Sequence, residues 1–145
     1  MKKMYRVMLL LAIGILFTTS AWAERLSVNV PMANIRSGPG TSHKVLWKVE
    51  KFHPLEVVVK KGDWYQFKDF EGDRGWIHKD LVASYKSVIV NKNKCNVRSG
   101  PGTNQKVIFT VERGVPFKVL KKKGDWMYIQ HSDGDKGWIY KKLVW

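Results

Sequence analysis

Apolar and polar residues alternate in short segments that glycine turns separate. Residues 55–60 are rich in β-branched side chains, residues 61–63 (KGD) form a turn, and residues 64–68 make the next strand. Another turn at residues 71–73 leads into a strand at residues 75–78. Beyond the N-terminal stretch no segment shows a sustained helical period. The pattern predicts an all-β protein built as a small barrel or sandwich.

This pattern is present twice. Three motifs each recur 62 residues later: NxRSGPGT at residues 34–41, GDW at residues 62–64 and GDxGWI at residues 72–77. Across the two copies 28 of 58 aligned positions are identical, with no insertion or deletion. We therefore expect two domains, residues 24–83 and residues 84–145. The link at residues 84–87 is too short for free tumbling, and thin cores favour contact between the copies.

Strand alternation separates core positions from surface positions, because successive side chains point to opposite faces. The inward set is expected to contain Tyr65, Phe67, Ile77, Met127, Ile129 and Ile139. On the opposite, wetter face each copy then places two tryptophans and one further ring. These candidate ligand-binding residues are Trp64, Trp76 and His78 in the first copy and Trp126, Trp138 and Tyr140 in the second.

The SGPG loop follows a core position, Ile35 or Val97, in each copy. Glycine is expected to supply positive φ there, and proline prevents further strand pairing. Arg36 and Arg98 have the parity that points away from the core. Two roles stay open for them: bonding the carbonyls of the folded-back loop, or contacting an anion at its edge.

The N-terminus has the three parts of a secretory signal peptide. Lys2, Lys3 and Arg6 precede an apolar run at residues 7–17, and AWA at residues 21–23 is a cleavage site. The run is shorter than the roughly 20 residues that span a bilayer. We expect residues 1–23 to be removed after Ala23 and the protein to be exported to the periplasm or the exterior. The alternative is an uncleaved anchor.

Charge is high and uneven. The 26 Lys and Arg outnumber the 12 Asp and Glu, so the net charge is +14. Residues 24–83 carry a net +2 and residues 84–145 a net +9. An exported protein meets no genome, so we expect no nucleic-acid partner. The charge favours peripheral contact with anionic envelope polymers, and the alternative is a solvated face.

The chain shows no constellation of catalytic or metal-binding residues. Cys95 stands where the first copy has Ala33, which indicates a small buried residue rather than a nucleophile. The histidines are scattered, without the spacing of metal ligands, and are expected at the surface: His43, His53, His78 and His131. The turn aspartates need no catalytic explanation. We expect no enzyme activity, no metal and no cofactor.

The order of four motifs in each copy resembles the bacterial SH3-like domain family: NxRSGPGT, then GDW, then GxxGWI, then LV. The likeness is greatest to the tandem form of this family in small exported proteins. The resemblance covers residues 26–145, twice over. It implies a barrel of about five or six strands per copy and a binding role, commonly toward cell-wall peptide or glycan and often beside hydrolase domains. It also implies groove-side aromatics at Trp64, Trp76, Trp126 and Trp138. No hydrolase domain accompanies the copies within this chain.

We therefore expect a non-catalytic binding module of the cell envelope. Its aromatic grooves would recognise peptidoglycan peptide or glycan. One alternative is a scaffold that holds an envelope protein through the same grooves or a strand edge. Another is a basic surface that binds polyanions without any groove.

Overall fold

The computed structural model describes residues 23–145 and contains two β-sheets, one for each copy of the repeat. We call them the first module and the second module. The predicted signal peptide lies outside the described residues apart from Ala23, so its cleavage stays a prediction. In the described part of the chain, helices are too short and too polar to cross a bilayer.

The first module contains seven strands: β1 Glu24–Val28, β2 Met32–Arg36, β3 Val45–Glu50, β4 Pro54–Lys61, β5 Trp64–Lys68, β6 Arg74–His78 and β7 Val82–Ala83. The second contains six: β8 Ser87–Ile89, β9 Cys95–Arg98, β10 Val107–Val111, β11 Pro116–Lys123, β12 Trp126–Gln130 and β13 Lys136–Tyr140. Short 3₁₀ turns follow β6 and β13, at Lys79–Leu81 and Lys141–Leu143. The expected all-β fold is confirmed.

The two sheets have the same strand order. It is β3-β2-β6-β5-β4-β1-β7 in the first module and β10-β9-β13-β12-β11-β8 in the second, with antiparallel pairing throughout. Trp145 takes the place of β7 in the second module. Its N–H donates to the Ile89 carbonyl at 2.9 Å, and its carbonyl accepts from the Ile89 N–H at 3.1 Å. The sequence repeat is therefore also a repeat of the fold.

Each sheet wraps around one core. In the first module β1 to β6 all contribute to a single buried cluster: Val28, Ala33, Ile35, Val49, Leu55, Phe67 and Ile77. The second cluster is Val88, Val90, Cys95, Val97, Phe117, Ile129 and Ile139. Tyr65 and Met127 pack against these clusters while partly buried. The predicted inward set is confirmed, as are Ile35 and Val97.

The expected contact between modules is present and polar at its centre. The Ser27 hydroxyl donates to the Tyr85 carbonyl at 2.7 Å and lies against the Ser87 hydroxyl. The Tyr85 hydroxyl donates to the Val28 carbonyl at 2.8 Å. Further out, the Arg113 guanidinium pairs with the Glu71 carboxylate at 2.7 Å. These bonds tie β1 to the link and to β8, so the modules hold a defined arrangement.

The expectation that every histidine lies at the surface is wrong for His53. This residue is 8% exposed, and its ring packs against Phe70 with centroids 6.2 Å apart. Its Nδ1 lies 3.2 Å from the Pro54 carbonyl. Burial lowers the pKa of His53 from 6.5 to about 4, because desolvation disfavours the charged ring. The second module has Val115 at the equivalent position.

Gly75 is required for the approach of β6 to the core of the first module. A Cβ at Gly75 would collide with the Ile35 side chain and would stand 3.3 Å from the Trp47 ring. We expect Gly75→Ala to lower the free energy of unfolding by about 1 to 3 kcal/mol, the usual cost of overpacking. Urea unfolding measures this loss of free energy. The control is Gly40→Ala, whose Cβ would lie 3.5 Å from the His43 ring, an ordinary van der Waals distance. Equal losses in the two variants would contradict the explanation.

His53 should make the stability of the first module depend on pH. Its pKa is lower in the folded than in the unfolded protein, so the unfolded chain binds the extra proton between pH 6.5 and about 4. The contribution of His53 to the free energy of unfolding is fully present above pH 6.5. It falls by about 3 kcal/mol as the pH drops toward 4. Urea unfolding across this range should show the loss, and His53→Val should reduce it. The exposed control His43→Gln should keep it, and identical pH profiles for wild type and His53→Val would refute the assignment.

Candidate functional site

A groove of about 430 Å³ opens on the second module. We call it the aromatic groove. Its lining residues are Lys92, Asn93, Lys94, Cys95, Asn96, Arg98, Thr103, Trp126, Tyr140 and Leu143. Three of the residues predicted from the sequence, Arg98, Trp126 and Tyr140, are therefore brought to one place.

The two rings meet because of the β12–β13 register. Trp126 begins β12 and Tyr140 ends β13, and the two residues are directly opposite in the ladder. Their ring centroids lie 5.5 Å apart at an angle of 47°. The neighbouring residues Met127 and Ile139 have the other parity and face the core. Alternation along two strands thus forms the aromatic wall of the groove.

The arginines hold the SGPG loops in place. Arg36 Nη1 donates to the Thr41 and His43 carbonyls, each at 3.0 Å, and Arg98 Nη1 donates to the Gln105 carbonyl at 3.0 Å. The structure therefore shows the carbonyl-bonding role. Because only one of its donor atoms is engaged this way, the Arg98 guanidinium keeps further N–H groups beside the groove.

The glycines of these loops serve another purpose than the one expected. None of the four has positive φ, so that expectation is wrong. Close approach is the reason for glycine instead. A Cβ on Gly38 would collide with the His43 ring, and one on Gly100 would stand 2.8 Å from the Gln105 side chain. The loop folds tightly back on itself, and that brings the carbonyls within reach of the arginine.

The rim of the aromatic groove is basic. Lys92, Lys94 and Arg98 line it, and no acidic residue does. The positions 62 residues before the two lysines hold Val30 and Met32, and Met32 is 57% exposed. The corresponding surface of the first module is therefore apolar where the second module is cationic. The two surfaces favour different ligand groups.

The first module brings together Trp64 and His78. The rings are opposite in the β5–β6 ladder, with centroids 5.2 Å apart and planes at 89°. His78 Nδ1 accepts a hydrogen bond from the Asp80 backbone N–H at 3.2 Å. Both rings are half-buried. This pair is the counterpart of Trp126 and Tyr140, with an imidazole replacing the phenol.

Trp76 and Trp138 lie elsewhere on the same sheet faces. Trp138 is only 8% exposed, so the expectation of a wet surface position is wrong for it. Tyr128 packs on its ring at 5.2 Å, and the Lys121 ammonium lies 5.6 Å from its centroid. Trp76 is half-buried opposite Gln66. Tyr128 shares the parity of Trp126, and that signal could have predicted its place beside Trp138.

Cys95 lies at the base of the aromatic groove and is 3% exposed. Its thiol lies 3.8 Å from the Lys92 carbonyl. Burial raises the pKa of the Cys95 thiol, which disfavours the nucleophilic thiolate. Across residues 23–145, His, Cys, Asp and Glu side chains form no cluster able to hold a metal ion.

The sequence model of the bacterial SH3 domain matches residues 29–83 and again residues 91–145. The chain belongs to the bacterial SH3 domain family. Both matches fall within the two sheets, so the tandem arrangement read from the repeat is confirmed. The aromatic groove is thus a feature of the second bacterial SH3 domain.

Two curated relatives carry names that refer to amidases. The chain is 28% identical over 137 residues to the "Putative N-acetylmuramoyl-L-alanine amidase YrvJ" of Bacillus subtilis, covering 87% of this chain and 26% of that protein. It is 39% identical over 44 residues to the "Probable cell wall amidase LytH" of Staphylococcus epidermidis, covering 30% of this chain and 15% of that protein. The chain therefore spans about a quarter or less of these relatives' length.

Two solved structures show a distant likeness. One is an NlpC/P60 family protein from Bacillus cereus, with a TM-score of 0.41 and 16% identity, covering 83% of this chain and 55% of that one. The other is NlpC2 from Trichomonas vaginalis, with a TM-score of 0.38 and 12% identity, covering 86% of this chain and 48% of that one.

The Cys95 thiol should react slowly in the folded protein. Burial excludes the reagent and the raised pKa suppresses the thiolate, so we expect iodoacetamide to alkylate it at least about tenfold more slowly than in urea at the same pH. Mass spectrometry over time measures both rates. Equal rates in the folded and unfolded protein would contradict the burial and reveal an open, reactive thiol.

Proposed function

We propose that this protein is a non-catalytic binding module of the bacterial cell envelope that recognises peptidoglycan peptide or glycan. The observation that carries the proposal is the open groove in which Trp126 and Tyr140 present adjacent rings beside Arg98. The same proposal includes export, directed by residues 1–23.

The chemistry of the groove suits such a ligand. Flat aromatic rings offer rigid contact area that fits sugar faces and peptide backbones. A volume of about 430 Å³ lies within the range of sites for small ligands. The Asn93 and Asn96 amides can exchange hydrogen bonds with hydroxyl or peptide groups. Lys92 and Lys94 at the rim favour a ligand that carries a carboxylate, as a stem peptide does.

The relatives support the location. The relative that matches both modules has amidase in its name, and the relative that matches only 44 residues of this chain has cell wall amidase in its name. Because the chain covers only 26% of the longer match, what it shares is a part of an amidase-named protein. A part that binds the wall, rather than one that cleaves it, agrees with the buried and poorly nucleophilic Cys95.

The first module adds a second contact through Trp64 and His78, whose rings pair as Trp126 and Tyr140 do. Two weak sites held in one chain gain affinity when both engage the same polymer. The apolar Val30 and Met32 make this contact less dependent on charge than the contact at the aromatic groove. The two modules would then bind different parts of the wall.

Binding to purified sacculi tests the proposal. We expect Trp126→Ala to weaken sedimentation with sacculi by about tenfold, since a lost aromatic contact costs on the order of 1 to 2 kcal/mol. The control is Tyr128→Ala, which removes a ring on the same strand face outside the groove. Circular dichroism must show that both variants stay folded.

Three results would contradict the groove. One is full-strength sedimentation of Trp126→Ala. The second is binding that disappears at moderate salt and tolerates the substitution, which would favour a basic surface that holds polyanions. The third is a stoichiometric protein cross-link in cells without any binding to sacculi, which would favour a scaffold.

A further inference from the structure

A second cavity lies between the two modules and belongs to neither alone. This composite cleft has a volume of about 400 Å³. The first module lines it with Arg25 and Ser27, the link with Tyr85 and Lys86, and the second module with Met127 and Trp145, among other residues. It shares no lining residue with the aromatic groove.

The walls of the composite cleft are held by hydrogen bonds. Ser27 donates to the Tyr85 carbonyl, and the Tyr85 hydroxyl donates back to the first module at the Val28 carbonyl. The Tyr85 ring also packs edge-on against Phe52, with centroids 5.8 Å apart. A ligand would therefore meet a preformed site and lose little free energy in ordering it.

Positive charge is concentrated at this cleft. Lys86 lines it together with Arg25, and the Lys86 carbonyl accepts a hydrogen bond from the Val119 N–H at 2.9 Å, which places the link beside β11, the strand that carries Lys122. The Lys122 ammonium, followed by burial, lowers the pKa of Lys86 to about 8. Another lining cation, Lys141, already has a partner in the Asp125 carboxylate at 2.8 Å. Lys122 lies beside the cleft rather than in its lining, and its charge repels that of Lys86, so an anion between the two ammonium groups would be stabilised.

The equivalent positions of the first module show which chemical group can pair with the lysine there. Sixty-two residues before Lys86 and Lys122 stand Glu24 and Lys60. There the Glu24 carboxylate pairs with the Lys60 ammonium at 2.6 Å. The second module keeps the lysine and replaces the carboxylate by another lysine. An oxyanion from outside the chain would restore the pairing that the first module makes internally.

Arg25 and Trp145 shape the rest of the cleft. The Arg25 guanidinium lies over the Trp145 ring, 3.9 Å from its centroid. Stacking of this kind leaves the N–H groups at the edge of the guanidinium directed toward oxygen acceptors, and the Glu56 carboxylate, opposite Arg25 in the β1–β4 ladder, is one acceptor with which a ligand must compete. Beside them, the Met127 and Val144 side chains give an apolar wall for the remainder of a ligand.

We propose that the composite cleft binds an oxyanion, the phosphate or carboxylate group of a small ligand, between Lys86 and Lys122, with Arg25 as a further donor. Neither module can form this site alone, because Arg25 belongs to the first module, Lys86 to the link and Lys122 to the second module. The site is independent of the aromatic groove and of the cell-wall ligand proposed for it.

Titration of the two-module protein at constant ionic strength tests this site. The probes are inorganic phosphate, glycerol 3-phosphate and acetate, each exchanged against chloride. The indole N–H of Trp145, identified in ¹⁵N spectra with Trp145→Phe, reports on the cleft. We expect a saturable shift with an oxyanion and none with chloride alone. If the two phosphates saturate the shift and acetate does not, the ligand group is a phosphate. If acetate saturates it too, the site also accepts carboxylates.

Lys86→Glu is the decisive variant because it rebuilds the ion pair of the first module. We expect it to weaken oxyanion binding by about tenfold or more, while raising the melting temperature in the absence of phosphate. The matched control Lys123→Glu makes the same change of charge one residue from Lys122 and should keep a saturable shift. No saturable shift with any oxyanion, or equal binding by Lys86→Glu and Lys123→Glu, would overturn the proposal.

Discussion

The alternation of side chains along paired strands is the constraint on which this molecule depends. In β5–β6 and again in β12–β13, one set of residues closes a small core and the other forms an aromatic surface. Phe67 and Ile77 are essentially inaccessible to solvent, whereas Trp64 and His78 stand on the opposite face. Because the same few strands supply both faces, the core and the candidate site cannot vary independently.

Because the two modules share one fold, their side chains can be compared position by position. At equivalent positions the modules differ in a few side chains that change the chemistry: Val30 and Lys92, Glu24 and Lys86, His53 and Val115. The first two differences move positive charge into the second module, one at the rim of the aromatic groove and one at the composite cleft. A common fold has thus acquired two surfaces of unlike character.

Much of the fold could be predicted from local pattern. Residues 64–68 were expected as a strand and form β5. The inward positions follow from strand alternation. Arg36 and Arg98 donate hydrogen bonds to loop carbonyls, which is the first of the two roles that the sequence leaves open for them. Alternation places Tyr128 and Trp138 on one face, but it does not show that the Tyr128 ring packs on Trp138 or that the Phe70 ring packs on His53, and these contacts bury both side chains.

Four properties could be predicted from the sequence alone: the duplication, the strands, the inward and outward faces, and the excess of charge in the second half. These properties follow from spacing and period, which are local. Which outward residues share a cavity depends on the three-dimensional fold, since strand register places Trp126 beside Tyr140 and leaves Trp138 under Tyr128. The fold alone also creates the cleft between the modules, because that cleft depends on how two separately wrapped sheets meet through Ser27 and Tyr85.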